Sequence, residues 1–162
     1  MAKSFAPFEE DFLGITADVV WCTLTTVDST GKPRSRIVHP IFTVTDGQPV
    51  GWLLTGRTPI KTAHLAGNPH VSCSYWSPEQ NVVYADCVAT WVEDLETKRG
   101  VNDLFKSTPP PLGYDPVEFG LGVPEDDTFT PLRLSPWRVQ ILRFAGWGES
   151  LVPRMWKANG AS

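Results

Sequence analysis

Apolar and polar positions along this 162-residue chain fall into short runs, most with the two-residue period of a half-buried strand. Before the first of these, Phe8, Phe12 and Ile15 recur at helical spacing, which predicts a short amphipathic helix over residues 8–18, weakened by Gly14. Residues 19–27 are rich in β-formers and run into Asp28-Ser29-Thr30-Gly31-Lys32-Pro33, a strong turn. A second strand is expected over 36–44, pairing with the first as a hairpin with a longer loop. Asp46-Gly47-Gln48-Pro49 makes the next turn, and residues 50–55 the third strand. A short helix over 61–67 follows, stopped by Asn68-Pro69. Strands over 71–76 and 81–91 are separated by Ser77-Pro78-Glu79-Gln80.

The pattern then changes. Leu95, Val101, Leu104 and Phe105 have helical spacing over 95–106, and Ser107-Thr108-Pro109-Pro110-Pro111 cannot continue a helix. Residues 107–131 form a Pro/Gly-rich acidic loop; one this long in a compact domain serves as a lid, an interface arm or a passive surface excursion. Leu132-Arg133-Leu134 and residues 137–145 give one or two closing strands, and 147–157 a tail whose aromatics dock elsewhere. About six antiparallel strands interrupted by helices, without the repeated crossovers of a parallel sheet, predict a mainly β (α+β) fold. Its form is a small barrel with short covering helices, in a single domain over 1–162.

Composition agrees with a folded domain: 41% of residues are hydrophobic and 20% charged, with seven Trp and eight Phe. A net charge of −4 offers no electrostatic footing for nucleic acid. The three cysteines, Cys22, Cys73 and Cys87, have neither CxxC nor disulfide-framework spacing, and each sits in an apolar run as a small buried hydrophobe. No secretory leader or membrane-length apolar run is present, so the expected location is the cytoplasm.

Candidate chemistry concentrates between Leu54 and Lys61. A strand ends in Leu54-Thr55, a turn carries Gly56-Arg57-Thr58-Pro59, and Lys61 stands in the first turn of a helix. A helix N-terminus leaves N–H groups unpaired and favours anions. With Thr55, Arg57, Thr58 and Lys61 around it, the turn suits a phosphate monoester, or is an ordinary connection with solvated basic residues. No Ser/His/Asp or Cys/His constellation and no carboxylate pair accompanies it. His39 reads as a core residue, and His64 and His70 as exposed flanks of the short helix.

Three segments in order resemble the pyridoxamine 5′-phosphate oxidase-like, flavin-binding split-barrel family. They are Gly31-Lys32-Pro33-Arg34-Ser35-Arg36-Ile37-Val38, Leu54-Thr55 through Lys61, and Asn68-Pro69-His70-Val71-Ser72 through Trp76. The resemblance covers residues 19–91 well and 132–157 loosely. It implies a six-stranded antiparallel split β-barrel, a homodimer, and FMN bound at the subunit interface. Arg36 and Lys61 would then hold the phosphate, with Thr55 beside them, and the backbone of Ile37 and Val38 would lie along the flavin ring. Asn81 stands where the family often has a Gln reaching the ring, or caps a turn. Arg154 matches a C-terminal Arg that contacts the flavin from the partner. The implied activity is that of a flavin-dependent oxidoreductase. The segment Ser150-Leu151-Val152-Pro153-Arg154 lacks the Arg and His that grip a vitamin B6 substrate, and Ile60 replaces a basic residue beside the phosphate Lys. A larger deazaflavin cofactor is the alternative to FMN. A non-catalytic flavin- or haem-binding protein, with His39, His64 or His70 as axial ligand, is the alternative to an enzyme.

Overall fold

A computed structural model describes residues 4–146 and 152–160. Its elements are α1 (Ala6–Val19), β1 (Cys22–Val27), β2 (Pro33–Val38), β3 (Ile41–Thr45), β4 (Gln48–Leu54) and α2 (Pro59–Gly67). There follow β5 (His70–Trp76), β6 (Val82–Trp91), α3 (Leu95–Ser107), a 3-10 turn at Pro116–Phe119, β7 (Pro131–Leu142) and β8 (Arg154–Lys157). The strands form one antiparallel sheet in the order β2-β1-β5-β6-β7-β4-β3, with β8 added alongside β7. The two ends of that path, β2 and β3, are separated in the chain only by His39-Pro40. A sheet whose outermost strands are joined by two residues must curl on itself, so the sheet forms a barrel left unpaired between β2 and β3 among the described residues.

The antiparallel barrel with covering helices is as expected, but it has eight strands rather than six. The run over 36–44, read as one strand, is two, because the chain crosses from one end of the sheet to the other at Pro40. Residues 131–142, by contrast, are one strand despite Pro136. The β6–β7 register shifts there, from Asp86↔Arg138 to Cys87↔Pro136, and this bulge absorbs the missing N–H of the proline. The eighth strand is the end of the tail, where Trp156 packs inside opposite Val139.

Alternation sorts each strand into two faces. Cys22, Leu24, Cys73, Tyr75, Val83, Ala85, Cys87, Val139, Ile141 and Trp156 point inward and are buried. Helix α1 fills the remaining space with Phe8, Phe12 and Ile15, and Phe5 stacks edge-on against Phe12 at 5.4 Å and Trp156 at 5.1 Å. Outside, α3 and the 107–131 loop cover one half of the barrel, packing Val101, Phe105 and Phe129 on Ile41 and Leu54. The loop is therefore a built wall of the protein.

One ion-pair cluster fastens α1 to the end of the chain. Asp11 accepts from Arg143 at 2.8 and 2.5 Å and from Arg154 at 2.5 Å. Burial pushes the Asp11 carboxyl pKa up, but the two guanidinium groups outweigh it and hold it below its ordinary value of 3.8. A carboxylate with a depressed folded pKa stabilises the fold above its unfolded pKa, and loses that contribution as pH falls through the folded value. Asp11→Asn is expected to lower stability by about 1 kcal/mol at neutral pH, with the deficit disappearing in strong acid; denaturant melts at several pH values measure this.

Candidate functional site

The site grows from the inward face of β1 and β2. Register places Arg36 opposite Leu24, on the barrel's inner side, with Thr26 next along β1. Arg36 Nη1 donates to Thr26 Oγ1 at 2.8 Å, and Thr26, fully buried, also meets His64 Nδ1 at 2.9 Å.

Helix α2 brings the second cation. Thr58 caps it, its side chain accepting from Lys61 N at 3.4 Å, and Pro59 stands in the first turn with φ already helical. Lys61 is only 6% exposed. Its Nζ reaches back to the end of β4, donating to Thr55 Oγ1 at 2.5 Å and to the Gly56 carbonyl at 2.9 Å. Both acceptors are neutral. Among the described residues no carboxylate pairs with Lys61 or Arg36. Burial lowers the pKa of Lys61, and the nearby Arg36 charge lowers it further. Burial also lowers that of Arg36, with Arg34 adding to the effect. Two cations held together with no counter-charge are costly unless an anion joins them.

The remaining expected site residues are distributed differently. Leu54 is core, packed with Ile41 and Phe105. Thr58 uses its hydroxyl on its own helix, accepting from Lys61 N. Arg57 turns away, pairing with Glu93 and lying 4.6 Å over the Trp91 ring. Ile37 points outward and is 68% exposed, while Val38 is half-buried; beyond β1, no strand among the described residues pairs with the other edge of β2. Asn81 closes the β5–β6 turn and accepts from Phe144 N at 3.1 Å. Arg154 is held by Asp11 and the Pro7 carbonyl. Trp147, Ser150 and Leu151 lie outside the described residues. Thr26 has no signal in the sequence, and His64, expected as an exposed flank of the short helix, is half-buried against Thr26. His64 was legible in principle, three residues after Lys61 and so on the same helix face.

No family model matches the sequence, and no curated protein matches it. Solved structures do. A pyridoxamine 5′-phosphate oxidase-related, FMN-binding protein from Nostoc punctiforme superposes with a TM-score of 0.63 at 14% identity, covering 96% of each chain. A Clostridium acetobutylicum protein related to general stress protein 26, of the pyridoxinephosphate oxidase family, gives 0.67 at 14% identity over 93% of this chain and 94% of that one. The haem storage protein HutZ from Vibrio cholerae gives 0.55 at 17% identity over 93% and 94%. At these identities the likeness is one of fold, and the fold of this chain is that of the pyridoxamine 5′-phosphate oxidase-like, FMN-binding split barrels.

Proposed function

We propose that this protein is a flavin-dependent oxidoreductase whose Arg36, Lys61, His64 and Thr55 hold the phosphate of FMN. The observation that carries the reading is Lys61: a nearly buried ammonium beside a second cation, with only neutral acceptors. A phosphate supplies the missing charge and enough acceptor oxygens for both groups. The unpaired edge of β2 leaves backbone groups of Ile37 and Val38 to meet a planar ring. A bound flavin supplies the electron and hydride chemistry; these residues bind it and set its orientation.

The assembly read here is a homodimer. Ile37, Thr23, Ser74, Tyr84, Gln140 and Met155 stand in one row across the outer face of the sheet. Ile37, Trp76 and Tyr84 are exposed on that face, and α3 covers the other half of the barrel. Its charged centre is internally neutralised, Arg138 donating to Asp86 at 2.8 Å. A face with exposed aromatic and aliphatic side chains and no net charge suits a second copy. No described helix is long and apolar enough to cross a membrane, and the three buried cysteines are free thiols, which suits the reducing cytoplasm.

Absorbance titration of the purified protein with FMN, a deazaflavin and hemin tests the assignment, with sedimentation reporting the mass. Saturable FMN binding, one flavin per chain on a particle of two chains, is expected. Preferential deazaflavin binding would move the cofactor assignment, and a Soret band without flavin binding would replace the oxidoreductase by a haem-binding protein.

A further inference from the structure

A second site lies beyond the cation cluster, where the loop over 107–131 meets the start of the barrel. Trp21, His39, Tyr114, Phe119 and Leu121 line a cleft of about 770 Å³ there, with Lys106 and Asp115 paired at its rim at 3.1 Å. Its walls are rings in sequence: Trp21 to His39 at 4.7 Å, His39 to Tyr114 at 5.2 Å, and Tyr114 to Phe119 at 4.8 Å. The outermost two, Trp21 and Phe119, are 58% and 66% exposed, an unusual cost for large aromatic surfaces on either side of one opening.

His39 adds a polar requirement. Its ring hydrogen-bonds the Leu112 backbone, and Nε2 is buried with no partner among the described residues, so the bonded nitrogen is Nδ1. Burial lowers the His39 pKa below its ordinary 6.5, favouring the neutral ring. A neutral imidazole donating from Nδ1 to a carbonyl has a bare lone pair on Nε2. Buried acceptors are normally satisfied, and the rings packed against this imidazole are those of Trp21 and Tyr114, of which Trp21 is the more exposed.

We propose that the cleft binds a flat, uncharged aromatic molecule that carries an O–H or N–H donor. Its ring lies among Trp21, Tyr114 and Phe119, displacing Trp21 from the face of His39, and its donor satisfies Nε2. Stacking supplies affinity, and the lone acceptor supplies selectivity for a donor-bearing ring over the same ring without one. This site needs no flavin in the cation cluster.

Calorimetric titration of the wild-type protein, without added cofactor, with 2-naphthol and with 2-methoxynaphthalene tests it. 2-Naphthol is expected to bind at least tenfold more tightly. His39→Phe should collapse that ratio to within about twofold, whereas Phe119→Ala, at an exposed position that does not carry the fold, should weaken both probes alike. Equal affinity for the two probes in the wild type, no binding of either, or a ratio that survives His39→Phe overturns the proposal. So does competitive displacement of 2-naphthol by FMN, which would make the cleft part of the cofactor's seat.

Discussion

Replacing Lys61 by Met is expected to weaken FMN binding by about tenfold to a hundredfold and, at the same time, to leave the ligand-free protein more stable than the wild type. Affinity falls because a charge-assisted contact to phosphate contributes roughly 1.5–3 kcal/mol. Stability rises because the ammonium is taken out of water and set beside Arg36, with only Thr55 and the Gly56 carbonyl in return. Replacing a poorly compensated buried charge with an apolar chain of similar length stabilises by about 1 kcal/mol. The pH dependence separates this from a packing effect. Lys61 has a folded pKa below its unfolded 10.5, so between the two values the folded chain binds fewer protons than the unfolded one. Stability of the wild type therefore rises with pH across that window, and the strain is fully present below it. Lys61→Met removes the rise, so the stabilities of variant and wild type converge toward pH 10.5. Denaturant melts of both proteins, without ligand, from neutral pH to mild alkali check this. A variant that loses stability at neutral pH would show that Lys61 is a structural residue.

The second large effect is expected at Gly113. A Cβ built there meets the Thr108 carbonyl oxygen at 1.8 Å and the Phe105 carbonyl oxygen at 2.7 Å, both main-chain atoms that cannot rotate away. The close approach exists because Gly113 N donates to Pro109 O at 3.0 Å and Tyr114 N to Phe105 O at 2.9 Å, folding the loop back on the end of α3. Gly113→Ala must break that pairing and pull Tyr114 from Phe105, whose rings lie 5.0 Å apart. A loss of about 3 kcal/mol or more is expected, at the upper end for overpacking. Because α3 and the loop pack on the outside of the barrel, against Ile41 and Leu54, FMN binding should survive in the folded fraction while the aromatic cleft is lost. Thermal melts with and without FMN, together with 2-naphthol titration, distinguish this from general unfolding.

What could be read from the chain divides along physical lines. Strands with one buried face declare themselves by alternation, and β1, β4, β5 and β6 were located that way. Helix α3 was located by its apolar spacing, and Asp94 caps it by accepting from Thr97 N at 2.8 Å. The division at His39-Pro40 was hidden, because both halves of the run are β-prone and only sheet closure requires the crossing. The length of β7 was hidden by Pro136, which a bulge accommodates. Arg36 and Lys61, which lie close together, stand out in the sequence because each is at a point where a cation is locally unusual, one in an apolar strand and one in a helix's first turn. The pairing of Arg57 with Glu93 and of Arg154 with Asp11 has no local signal, since the partners lie 36 and 143 residues away in sequence. Nor did any local pattern show Thr26 joining Arg36 to His64, a contact made only once β1, β2 and α2 are assembled.

A phosphate group held by the Arg36–Lys61–His64 cluster distinguishes FMN from its dephosphorylated form. Parallel equilibrium titrations with FMN and with riboflavin, which has the same ring system and no phosphate, test it most directly. FMN is expected to bind at least a hundredfold more tightly than riboflavin, with the difference shrinking in Lys61→Met. Equal affinities for the two, in a protein that binds both, would contradict it.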